Sequence, residues 1–173
     1  MNCAVCELKK SKELLYEDKE VFAVLSQEPA TFGHIIVAPK KHYQIIEQIP
    51  DYEFGNLFNI ANKLSTAVFE GIGAQGTNII IQNGVEAGQE IPHVAIHIIP
   101  RRENDGLNFE WVPKQLTEEQ MSTVELQLKE GAKDIGGVQK EEKAEPINLD
   151  KKAEKLKLSD QENYLIKQLR RIP

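Results

Sequence analysis

The chain has 173 residues, 40% hydrophobic and 28% charged, which suits one core domain with an appendage. Its net charge of -6 argues against nonspecific nucleic-acid binding, and no apolar run approaches the ~20 residues of a membrane span. No basic segment followed by an apolar one opens the sequence, so no signal peptide is read and the cytoplasm is the expected location.

Both cysteines sit together in Cys3-Ala4-Val5-Cys6. In a reducing compartment this spacing points to metal or redox work rather than a disulfide, and two plain thiols are the alternative. No strand precedes the pair as a redox motif would require, so metal is favoured. Residues 15–26 read as two short strands around a charged turn, and 29–33 as a loop. His34-Ile35-Ile36-Val37-Ala38 reads as a buried strand stopped by Pro39, with Lys40, Lys41 and His42 at its end. The main helix runs from Asp51 to about Gly71. Phe54, Leu57, Phe58, Ala61, Leu64 and Val68 fall on one stripe at helical spacing and are assigned to the core.

Residues 78–82 form another strand, followed by a loop from Asn83 to Gln89 with Gly84 and Gly88. The last strand is placed at 93–99. With a period of two, His93, Ala95 and His97 share one face, roughly 6.6 Å apart, while Val94, Ile96 and Ile98 face a core. A polar row so spaced can grip a phosphate or a metal, and its middle position is an alanine.

Leu116-Thr117-Glu118-Glu119-Gln120-Met121 has the pattern of a capping box, with Thr117 as N-cap and Leu116 as a staple onto Met121. Its helix should reach about Glu130 and be ended by Gly131, Gly136 and Gly137. Residues 138–152 read as a polar linker. A second capping box, Ser159 to Glu162, opens a short helix with Leu165, Leu169 and Ile172 on one side. That helix may be read as docking on the body or a second subunit, binding another partner, or fraying. Residues 1–139 carry 12 Lys+Arg against 20 Asp+Glu, and residues 140–173 carry 9 against 7, so the tail is the basic part. The element order is not a βαβ repeat, which favours an α+β class with an antiparallel sheet and a helix on one face.

Three blocks now bear a family resemblance: Cys3 to Cys6, Gly33 to His42, and Gln82 to Arg101. In order and spacing, residues 1–130 resemble the histidine-triad (HIT) family. The resemblance implies an antiparallel sheet of about five strands with a main helix; the HIT domain is placed at 1–137, and the linker and helical tail read at 138–173 lie beyond the resemblance. It also implies binding of a purine nucleoside monophosphate such as AMP or GMP. The family reaction is hydrolysis or transfer of that unit from phosphoramidates or dinucleoside polyphosphates by a histidine nucleophile. Ala95 occupies the nucleophile position, so the chain as written is expected to bind a nucleotide and turn over slowly or not at all. An engineered knockout and a lapsed natural paralogue both account for Ala95. A single missing residue in an otherwise dense motif favours the first.

By the same resemblance His97, Gln82, Gln89 and the Gly88 backbone handle phosphate, and His34 supports the site from the adjacent strand. Asn83 is counted with the nucleotide-binding set. Ser26 stands where many relatives have an acid that takes the ribose hydroxyls, and Glu90 where many have Ser or Thr at the phosphate edge. Cys3, Cys6, His42 and His93 match a structural zinc set of four ligands. A homodimer is implied, and no specific nucleic-acid binding. The alternative is a non-catalytic nucleotide-binding or adaptor protein.

Overall fold

The structure is a computed structural model that describes residues 3–133. The linker at 138–152 and the second capping box lie outside the described residues. The chain divides into two units, Met1–Trp111 and Val112–Pro173.

The first unit is built on five antiparallel strands: β1 (Leu14–Glu17), β2 (Val21–Leu25), β3 (Ile35–Pro39), β4 (Gly76–Ile81) and β5 (Ile96–Arg101). Their spatial order is β1-β2-β3-β5-β4, so β3 and β5 lie in the middle. Period-two alternation sorts each strand between two faces. On one face Val21, Ala23, Ile35, Val37, Ile96 and Ile98 pack with Leu57, Ile60, Ala61 and Val68 of helix α2 (Asp51–Ile72). On the other, Phe22, Val24 and Ala38 pack with Cys3 and Val5 of the N-terminal segment, whose short helix α1 spans Ala4–Leu8. His97 pairs with Ile36 and therefore lies on this second face, away from α2.

Helix α2 has Asp51 and Glu53 in its first turn, where the helix dipole favours negative charge, and stops at Gly73 with φ 65°. The assigned stripe holds for Leu57, Ala61 and Val68, with Phe54 and Leu64 half-buried against the core. Phe58 departs from it. It is 41% exposed and touches Phe54 edge-on, while Ile60 and Ser65 take buried positions instead.

The largest departure from the sequence reading concerns the last strand. β5 begins at Ile96, not at residue 93, and runs on to Arg101, which pairs with Gly76. Its ladder with β3 ends at Val37↔Ile96 because Pro39 has no N–H to extend it. The Val94 N–H turns instead to the Tyr43 carbonyl at 2.8 Å. Pro100 is tolerated inside β5 because its carbonyl side faces Thr31 Oγ1 (2.8 Å), where β3 has already ended.

In the second unit, helix α3 (Glu118–Gly131) begins with the expected reciprocal cap. Gln120 N–H donates to Thr117 Oγ1 at 3.2 Å, and Thr117 N–H donates to Gln120 Oε1 at 3.0 Å.

Candidate functional site

Two pairs of histidines stand at the two ends of the β3–β5 seam, one member of each pair from each strand's neighbourhood. The first pair is His42, three residues past β3, and His93, three before β5. They meet the cysteines of α1 because the Cys3–Cys6 spacing covers about one helical turn, placing both thiols on one side. Cys3 Sγ lies 3.5 Å and Cys6 Sγ 3.4 Å from His93 Nδ1, and Cys6 Sγ lies 3.6 Å from His42 Nδ1. All four donor atoms fall within 4.8 Å of one another. A tetrahedral zinc with bonds of ~2.3 Å to sulfur and ~2.05 Å to nitrogen separates those atoms by about 3.6 Å, so the donor set has the size of a zinc site. His93 is buried, and its Nε2–H donates to the Pro39 carbonyl at 3.0 Å. That bond leaves the Nδ1 lone pair facing the thiols, the tautomer a metal ligand needs. Burial also pushes the His93 pKa down, keeping the ring neutral.

The second pair is His34, which leads into β3, and His97, the second residue of β5. Gly33 precedes His34 with φ 86°, and a Cβ there would fall 2.4 Å from the Ile72 side chain, so only glycine fits this entry. The Ala30 N–H donates to His34 Nδ1 at 3.1 Å. His34 therefore carries its proton on Nε2 and donates it to His97 Nδ1 at 3.0 Å. His97 in turn must hold its own proton on Nε2. Burial, then the adjacent His97, lowers the His34 pKa to about 4, and burial lowers that of His97, so both rings are neutral near pH 7. The pair thus presents a fixed N–H donor.

The loop 82–91 closes over this donor. Gly88 has φ 84°, and a Cβ there would meet Gln82 Nε2 at 2.7 Å, so Gln82 packs directly on the glycine backbone. Gln89 braces the loop: its Oε1 accepts from Gly84 N–H at 2.8 Å, and its Nε2 donates to the carbonyls of Gln44 (2.7 Å) and Ile91 (3.0 Å). Asn83 is turned to another task. Its Oδ1 accepts from Ile46 N–H at 3.0 Å and its Nδ2 donates to Glu47, pinning the 3-10 turn Ile46–Gln48. Asn83 does not line the cavity described next.

Between α1, the end of β2 and this loop lies an open cavity of about 470 Å³. Ser26, His34, Gln82, Gly88, Gln89, Glu90, His93, Ala95 and His97 all line it, so the structure brings together nine of the residues singled out from sequence. Ala4, Val5, Leu8, Ile36 and Ile91 add apolar wall, and Gln27 and Glu28 add polar rim. Those were missed in the sequence. The one legible signal was the helical spacing of Val5 and Leu8, which places them on a common face.

A HIT domain model matches residues 7–104. The chain belongs to the histidine-triad family. Among similar HIT proteins is an uncharacterised HIT-like protein of Methanocaldococcus jannaschii, 40% identical over 107 residues, covering 60% of this chain and 82% of that one. The bis(5'-adenosyl)-triphosphatase of Dictyostelium discoideum is 31% identical over 112 residues, covering 65% of this chain and 75% of its own. Among solved structures, a HIT family protein of Bacillus subtilis superposes with a TM-score of 0.70 at 27% identity, over 75% of this chain and 96% of that one. A zinc-bound histidine triad protein of Mycobacterium smegmatis superposes with a TM-score of 0.59 at 29% identity, over 76% and 98%. The five-stranded antiparallel sheet with its main helix is the fold these HIT proteins share with this chain.

Proposed function

We propose that this HIT protein binds a purine nucleoside monophosphate unit, AMP or GMP, in the cavity beside His97, and that Ala95 leaves it impaired in the chemical step. The observation that carries the reading is the His34–His97 relay next to Ala95. A cavity of about 470 Å³ is within the range of small-ligand sites, and its neutral N–H donor suits a phosphate oxygen. A histidine at 95 would attack the α-phosphorus, expel the leaving group and form a nucleotidyl-histidine that water then hydrolyses. Alanine offers no lone pair. His97 is no substitute, because the donated His34 proton occupies its Nδ1 lone pair and Nε2 carries a proton.

The test is Ala95→His assayed for AMP release from adenosine phosphoramidates and diadenosine polyphosphates. The expected gain is about a thousand-fold or more. Full-rate hydrolysis by the Ala95 chain itself would overturn the impairment. Silence of Ala95→His, with nucleotide binding intact, would favour the non-catalytic binding or adaptor reading.

Zinc is the proposed occupant of Cys3, Cys6, His42 and His93, where it would join the N-terminus to the approach of β5. It would supply structural charge compensation, with no part in phosphorus chemistry. Metal analysis should find about one zinc per chain. The paired thiols suit a reducing compartment, and no helix among the described residues is long and apolar enough to cross a membrane, which together support a cytoplasmic setting. A homodimer is proposed on Phe58 and Tyr52 of α2 and Ile79 of edge strand β4, each exposed in the single chain, and light scattering would give twice the monomer mass.

A further inference from the structure

The cavity proposed for the nucleotide is lined by two carboxylates and three histidines. Among the described residues, the charged side chains on its wall are Glu28 and Glu90, with neither Lys nor Arg. Neither glutamate forms an ion pair among the described residues. The basic residues that flank the three motifs are committed elsewhere. Lys40 pairs with Glu17 at 2.6 Å, and Lys41 sits over the Tyr43 ring. Lys9 donates to the Lys40 carbonyl at 3.0 Å, and Arg101 grips Asp105 through both carboxylate oxygens.

This pattern bears on what can be attached to the nucleotide. An α-phosphate substituted at one oxygen or nitrogen carries about one negative charge, and the His97 N–H meets it. A polyphosphate chain adds further negative charge beside two carboxylates, with no cation to offset it. A protonated amine in the same place is attracted by both.

We propose that Glu28 and Glu90 make this a site for a nucleoside monophosphate whose substituent beyond the phosphate is cationic, and that they set it against polyphosphate substituents. The assignment rests on the nucleotide reading above. It gives a role to Glu90, which stands where many relatives have Ser or Thr. Both glutamates are specificity residues, acting on the substituent and not on the phosphorus.

The experiment is titration calorimetry on the full Ala95 chain, which serves as its own slow-turnover form. Two probes differ by one ammonium group: the ethyl ester of AMP and its 2-aminoethyl ester. ADP and diadenosine tetraphosphate, each with and without Mg2+, are the anionic comparisons. At low salt the aminoethyl ester should bind about five-fold tighter than the ethyl ester, the size expected of two solvent-exposed attractions. That ratio should shrink as salt rises. Glu28→Gln with Glu90→Gln should bring it to one, and thermal melting will show that the double variant is folded. A ratio of one in the unsubstituted chain, or tighter binding of Mg2+–ADP than of the aminoethyl ester, overturns the proposal while leaving the nucleotide site standing. Failure of every adenosine probe to bind removes the nucleotide site itself, and the proposal with it.

Discussion

The two histidine pairs use the same type of side chain, set in or beside the same two strands, for opposite ends. In the His42–His93 pair, His93 donates its Nε2–H to a backbone carbonyl, and both rings turn Nδ1 toward thiols. The rings meet edge-on with centroids 4.9 Å apart and make no hydrogen bond to each other. In the His34–His97 pair a backbone N–H occupies the outer nitrogen, so one ring donates a hydrogen bond to the other. The difference comes from what the backbone offers: a carbonyl from Pro39 in one case, an amide from Ala30 in the other. A backbone acceptor makes a histidine a lone-pair donor toward a metal, and a backbone donor makes it an N–H donor toward an anion. The rings share the Nε2–H tautomer, and what separates the two sites is which nitrogen the backbone takes, Nε2 of His93 or Nδ1 of His34.

The comparison can be broken from either side. The largest expected effect is the gain of Ala95→His, and adding His34→Gln should remove part of that gain by releasing the His97 tautomer, read as a split in kcat with KM little changed. Next is the thiol side. Cys3→Ser removes a buried ligand that also packs against Val5 and Phe22, so zinc per chain should fall toward zero. The loss of stability should exceed ~3 kcal/mol, measured by thermal melting with metal analysis. A smaller effect is expected from acid. His34 titrates near 6.5 when unfolded and about 4 when folded, so the unfolded chain binds the extra proton between those values. Stability is therefore fully present above about pH 6.5 and falls as pH drops toward 4. His34→Gln should flatten the melting temperature across that window, and an unchanged slope would deny the buried neutral ring. The smallest effect is a control in the second unit, which holds neither pair. Thr117→Ala should cost about 1 kcal/mol of local α3 stability, seen as faster amide exchange in its first turn, with zinc and nucleotide binding unmoved.

Much of this molecule was legible in the sequence because local rules acted alone there. The Thr117–Gln120 box and α2 formed as their patterns required. The four metal donors were readable through the family blocks, although 90 residues separate Cys3 from His93. The illegible parts depended on neighbours distant in the chain. Nothing local distinguishes Phe58 from Leu57's buried neighbours. The alternation at 93–99 was read as strand throughout, yet pairing fails at Pro39, a residue on another strand. Nothing local showed that Asn83 would bond Ile46 and Glu47, or that Gln89, which lines the cavity, would also brace Gln44 and Gly84.

Helix α1 is a single turn and a half, yet it is a party wall. Cys3 and Cys6 point to the metal cluster, while Ala4, Val5 and Leu8 line the nucleotide cavity, and His93 belongs to both. A wall held from one side is set for the other. Linkage then makes the two occupancies reciprocal: whatever factor zinc adds to nucleotide affinity, the nucleotide returns to zinc. If both proposed ligands bind and that factor differs from one, a chelator competing for the metal would read the nucleotide concentration, and so small a helix would serve as the meter.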